Sequence, residues 1–209
     1  VHGGGWVTGT PGSTAPLAAS LAEAGAIVFN ASYRTVLQDG GYPATFDDIA
    51  CAVRYAQYRL EALGGSGELI LAGHSAGAHI AAVVALSENA FASGCPWAGS
   101  STPDRLVGLA GLYEIDAVAP VMNVFLGGDR SEAPDAWQAA DPFAHLDAAA
   151  GMSVTLVHGT DDEIVPPAAS RQFAAALEEA GAVVDLELVD GAGHMDMISG
   201  PITSRLILP

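Results

Sequence analysis

ELILAGHSAGAHIAAVVAL, Glu68 to Leu86, decides the fold. A short apolar run, ELILAG, meets GHSAG at Gly73 to Gly77, and a nearly all-apolar segment, AGAHIAAVVAL, follows. The first length suits a strand and the second a buried helix, so Ser75 falls on the turn between them. The pattern G-x-S-x-G has meaning only in that context: the serine must adopt a strained backbone conformation that lifts its hydroxyl clear of the sheet. Gly73 and Gly77 remove side chains that would collide across so tight a turn. The helix start behind Ser75 also favours negative charge developing nearby.

Outward from this turn the same alternation continues. AIVFNASY (Ala26 to Tyr33), RLVGLAGLY (Arg105 to Tyr113), SVTLVHG (Ser153 to Gly159) and VVDLELVDG (Val183 to Gly191) read as strands. Ala44 to Leu63 repeats apolar residues at helical spacing and stops at Gly64-Gly65, and Pro167 to Gly181 has proline at its start and glycine at its end. Short apolar strands alternating with helices imply an α/β fold, a mostly parallel sheet covered by helices on both faces. The stretch 114–152 fits no simple period and carries Pro120, Pro134 and Pro142, so it reads as an insertion over one end of the sheet, a lid. Length and apolar content fit one domain, 1–209.

Composition narrows the partners. Seven Lys+Arg, none of them lysine, stand against 24 Asp+Glu for a formal net charge of -17. Nucleic acid and anionic membranes need basic footprints, so neither is expected as a partner. The acidity is diffuse and reads as a solvated surface. No apolar run reaches the length of a membrane span. What precedes Val1 is out of view, so the lack of a signal-peptide pattern decides nothing and the compartment is unknown, with cytoplasmic slightly favoured. Cys51 and Cys95 form neither a CxxC nor a zinc spacing, and a single disulfide between them is possible but unsupported by the sequence. Cys51 lies in an apolar helical pattern and reads as a small buried hydrophobe. With no HExxH, no paired-cysteine site and no phosphate-binding glycine loop, neither metal nor cofactor is expected.

A serine hydroxyl becomes nucleophilic when a base takes its proton. Of six histidines, His194 in GAGHMD follows the last strand, where a loop at the strand's C-terminal edge returns over the sheet. His79 lies one helical turn after Ser75 and reads as packed. His74 is the variable position of the turn, His158 ends a strand and His145 sits in the insertion; each reads as structural. The base needs an acid to hold its tautomer, and LVHGTDDEIVPP offers Asp161, Asp162 and Glu163 just past a strand. The residues alone leave that choice open.

HGGGW at His2 to Trp6, GHSAG, HGTDDEIVP and GAGH, in this order, resemble the α/β-hydrolase superfamily, within the HGGG-bearing esterases grouped with hormone-sensitive lipase and small carboxylesterases. GHSAGAH and GLAGLYEI also resemble the kynurenine formamidase and feruloyl/acetyl-xylan esterase branches. The resemblance implies a Ser75–Asp–His194 order, with the acid on Asp162 and Asp161 as fallback. It implies an oxyanion hole from the amides of Gly4, Gly5 and Ala76. His2 is then expected to tie the glycine loop, and Trp6 and His74 to stand at the substrate pocket, Trp6 at its floor or against the lid. The implied reaction is cleavage of a small carboxylic ester through an acyl-enzyme, with no cofactor; formamide hydrolysis and a non-catalytic ligand-binding homologue are the alternatives. In that superfamily the strand ending at HGGG lies between AIVFNASY and the strand ending at Ser75, and several strands come before it. Only Val1 represents it here, so the sequence is expected to be a fragment lacking its N-terminal strands. Oligomeric state is not legible.

Overall fold

The computed structural model describes residues 1–64 and 67–208. Its centre is a four-stranded parallel sheet in the order β1 (Ile70–His74), β2 (Arg105–Leu109), β3 (Ser153–Gly159), β4 (Val183–Val189). Parallel register puts every C-terminal strand end on one edge: His74 lies beside Leu109, and the loops after Gly159 and Val189 leave from the same side.

The two faces of the sheet carry separate cores because side chains alternate along each strand. Leu106, Val154 and Leu156 pack with α2 (Ala44–Ala62), α3 (Ala76–Leu86) and α6 (Ala168–Glu179). Val107, Leu109 and Val157 pack with Leu17 of α1 (Ala15–Glu23) and Ile207 of α7 (Pro201–Ile207). Every residue of α3 is buried, which accounts for a sequence apolar on all sides. Its start is fixed by Ser75, immediately after β1, so the strand–turn–helix order holds, with the helix limits as expected and the strand running Ile70–His74 rather than Glu68–Gly73. Gly64 takes a left-handed φ of 63° just past α2; Gly65 lies outside the described residues. Among the described residues, no helix is long and apolar enough to cross a membrane.

Three expectations change. Residues 26–33 form no strand. A strand needs a ladder partner, and beside this segment lies a groove of about 460 Å³, lined by residues 26–31, Ile49, Val53 and the free edge of β1. Val1 alone bridges part of that edge, its amine donating to the Ala72 carbonyl at 2.6 Å while His74 N–H donates to the Val1 carbonyl at 3.0 Å. Second, 114–152 is helical: α4 (Ala119–Leu126), α5 (Pro134–Ala140) and 3-10 turns at Ile115–Val118 and Pro142–Ala149. Met122, Phe125 and Trp137 are fully buried, so this stretch belongs to the core. Third, Cys51 and Cys95 are joined as a disulfide, with Cα atoms 5.4 Å apart, and Cys51 is only half-buried. Structural disulfides persist in oxidising compartments, which runs against the cytoplasmic expectation.

Candidate active site

Ser75 takes φ 56° and ψ -125°, a region that side-chain-bearing residues rarely adopt. Its N–H donates to the Leu109 carbonyl at 2.9 Å, extending the ladder, while its own carbonyl accepts from Ala78 and His79 in the first turn of α3. Both flanking glycines are sterically required. A Cβ on Gly73 would lie 2.1 Å from the Gly77 carbonyl oxygen, and one on Gly77 would lie 2.3 Å from the His2 carbonyl oxygen.

The glycine loop runs directly against this turn, for a Cβ on Gly3 would sit 3.0 Å from the Ser75 Cβ. Gly4 and Gly5 have φ of 126° and 58°, and the Gly4 carbonyl accepts from Val7 and Thr8 N–H, closing a tight turn. Among the described residues, nothing accepts a hydrogen bond from the N–H groups of Gly4, Gly5 or Ala76. His2 is buried, stacks on Tyr33 with ring centroids 4.2 Å apart, and donates from Nδ1 to the Gly3 carbonyl at 2.8 Å. Trp6, also buried, donates from Nε1 to His79 Nδ1 at 3.1 Å and lies 6.1 Å from the Phe125 ring, which ties the loop to α4.

Asp162 leaves the edge after β3, and His194 opens a 3-10 turn, His194–Ile198, after β4. His194 Nδ1 donates to Asp162 Oδ2 at 2.7 Å, and both residues are buried. The other oxygen, Oδ1, accepts from the N–H groups of Ile164 and Val165 at 2.9 and 2.8 Å. Burial pushes the Asp162 carboxyl up, but the bonds from Val165, His194 and Ile164 together outweigh it and hold the group below the usual carboxylate range. Asp161 and Glu163 are exposed, so only Asp162 of the three acids meets His194. Gly159 permits this approach, because a Cβ there would lie 2.1 Å from the Ala192 carbonyl oxygen, just before His194.

His74, expected at the pocket, is buried and links the nucleophile's turn to the base. Its Nε2 donates to the His194 carbonyl at 3.0 Å and its ring lies 4.6 Å from the His194 ring. His79 donates from Nε2 to the Ala140 carbonyl at 2.8 Å, and His145 from Nε2 to the Ala139 carbonyl at 3.0 Å. Sequence reasoning passed over two residues here, His158 and Gly159, although the HG pair at the end of β3 was the available signal.

Burial lowers the pKa of His74 to about 4 and that of His79 to about 4. Both then lie below the unfolded value of about 6.5, so in the window between, the unfolded chain binds more protons and stability falls as pH falls. Each histidine should contribute on the order of 3 kcal/mol that is present above about pH 6.5 and lost on the way to about pH 4. Calorimetric melts at pH 7, 6, 5 and 4 should show Tm falling steeply across this window. A Tm flat from pH 7 to 4 would contradict it.

A parallel sheet with helices on both faces and a serine turn at its C-terminal edge defines an α/β-hydrolase, and the chain's relatives are esterases. The chain belongs to the BD-FAE family, whose profile matches residues 1–177. It is 32% identical over 216 residues to a probable isoprenylcysteine alpha-carbonyl methylesterase of Oryza sativa subsp. japonica, covering 94% of this chain and 50% of that protein. It is 30% identical to the esterase LipQ of Mycobacterium tuberculosis, covering 99% of this chain and 52% of LipQ. The chain thus spans about half the length of these curated relatives. The apo form of Thermogutta terrifontis esterase 2 superimposes with a TM-score of 0.76 at 25% identity, over 94% of this chain and 72% of that one.

Proposed function

We propose that this protein is a serine hydrolase that cleaves small carboxylic esters through an acyl-enzyme on Ser75. The observation that carries the reading is the buried Asp162–His194 pair, held at 2.7 Å and tethered through His74 to the turn that presents Ser75. With Nδ1 donating to Asp162, the His194 Nε2 lone pair is free to take the Ser75 proton. Ser75 Oγ then attacks the acyl carbon, and charge gathers on the carbonyl oxygen, where the amides of Gly4, Gly5 and Ala76 are disposed to receive it. The C–O bond to the alcohol breaks as His194 returns the proton to that oxygen. Water, deprotonated by the same histidine, attacks the acyl-enzyme; the acid leaves and Ser75 is regenerated. The helical stretch 114–152 serves as a fixed roof over the glycine loop, through Phe125 against Trp6.

Formamide hydrolysis would use the same atoms. The esterase names of the relatives favour the ester. We propose further that residues 1–209 belong to a longer hydrolase domain, in which a strand fills the groove between residues 26–31 and β1.

Treatment with a fluorophosphonate probe should label Ser75, and Ser75→Ala should neither label nor turn over p-nitrophenyl acetate. Undiminished turnover by purified Ser75→Ala would end the proposal; an unlabelled wild-type protein would indicate a binding module.

A further inference from the structure

Asp162 has a second histidine. Its Oδ2 lies 2.7 Å from His194 Nδ1 and 3.1 Å from His158 Nε2. His158 is fully buried, and no step of acyl transfer as written above uses it.

The partners of His158 fix where its proton sits. Nε2 faces two oxygens that can only accept, the Val165 carbonyl at 2.9 Å and the Asp162 carboxylate. A bare lone pair there would oppose both, so Nε2 carries the hydrogen. Nδ1 is therefore the acceptor, and the buried Ser170 hydroxyl donates to it at 2.7 Å. Burial lowers the pKa of this ring more than its bonds to Val165 and Asp162 raise it, which keeps it neutral. A hydrogen bond thus runs from Ser170 to His158, whose Nε2–H is bonded to the Val165 carbonyl and lies 3.1 Å from the same Asp162 oxygen that accepts from His194.

We propose that His158 is a positioning residue that clamps Asp162 Oδ2 and, by sharing that oxygen with His194, sets how strongly the carboxylate holds the His194 imidazolium. The proposal rests on the triad reading above. A carboxylate oxygen that faces two N–H groups offers less charge to each. Without His158, Asp162 would hold the His194 imidazolium more strongly and would also be freer to turn, leaving the base less well aimed. Asp162 and His158 face His194 from the end of β3 and His74 faces it from the turn after β1. On its own turn, Asp196 is already engaged by the Gly193 N–H, and the backbone of the exposed Asp161 runs alongside.

The test is kcat and KM for p-nitrophenyl acetate from pH 5 to 9 on the full chain carrying His158→Leu, His158→Gln or Ser170→Ala, with Ser75→Ala alongside. His158→Leu should lower kcat by about tenfold to a hundredfold with KM nearly unchanged, as a misaimed base would. The acid limb of its kcat/KM profile should move up by about half a pH unit. His158→Gln keeps an N–H donor for Asp162 and should restore most of the rate and the position of the limb. Ser170→Ala releases Nδ1 and should fall between. Should His158→Leu fail to fold, Ser170→Ala carries the test through its kcat and acid limb. An acid limb and kcat indistinguishable from wild type in His158→Leu, or in Ser170→Ala where His158→Leu does not fold, would overturn the role of His158. Turnover surviving in Ser75→Ala would instead remove the triad reading itself.

Discussion

Replacing Asp162 by Asn should lower kcat by about four orders of magnitude, or about 5.5 kcal/mol of transition-state stabilisation, with KM changed only a few-fold. The hydrogen bonds around the carboxylate say why an isosteric change should be so damaging. Oδ1 accepts from two backbone amides, Ile164 and Val165, which would claim the carbonyl oxygen of an asparagine. The NH₂ group would then occupy the position of Oδ2, facing His194 Nδ1, which now donates there, and the His158 Nε2–H 3.1 Å away. Donor would meet donor. His194 could relieve the conflict by moving its proton to Nε2, but that is the nitrogen that must be bare to deprotonate Ser75. Asp161→Asn changes an exposed neighbour that does not touch His194 and should stay within about twofold of wild type. Steady-state kinetics on the two variants check the assignment; Asp162→Asn retaining a tenth of the rate would move the acid elsewhere.

The sequence showed most clearly those parts whose signal is local. The helix α3 and β3 appear with their expected limits, and β1 within two residues of its own, because an apolar run, a glycine-flanked turn and a wholly buried helix are all written in consecutive residues. What depends on distant partners was less visible. AIVFNASY has strand composition, but composition supplies no ladder, and residues 26–33 remain outside the sheet. The prolines of 114–152 looked like breakers. In the structure Pro120, Pro134 and Pro142 each stand in the first turn of a helical segment, where a missing N–H costs nothing. The Cys51–Cys95 bond joins residues 44 apart, a separation that carries no motif. In the site, sequence order pointed to Ser75 and His194, whereas the choice among three adjacent acids needed the resemblance and His158 needed coordinates. A histidine at a strand end looks structural until its ring is seen to share the carboxylate oxygen of the base.

A chain extended upstream of Val1 should be far more stable than residues 1–209 alone. The argument lies in the groove of about 460 Å³ between residues 26–31 and β1. Its walls are largely apolar, from Val28 and Ile49 on one side to Ile70 and Leu71 on the other, and its inner edge is backbone that only Val1 begins to pair. A strand entering there would give AIVFNASY the partner it lacks and would satisfy the open edge of β1. Burying two or three of its side chains should contribute roughly 4–8 kcal/mol, before any gain from ladder hydrogen bonds. Such a shift corresponds to a rise in Tm of more than 10 °C for a domain of this size. Residues 1–209 alone should therefore bind the apolar dye ANS and melt broadly, and the extended chain should lose dye binding and melt sharply. The same strand would lead directly into His2–Gly5, so turnover should rise with stability as the glycine loop gains a fixed anchor. A sharp, dye-free melt and full turnover from residues 1–209 alone would show that the groove has no strand to receive.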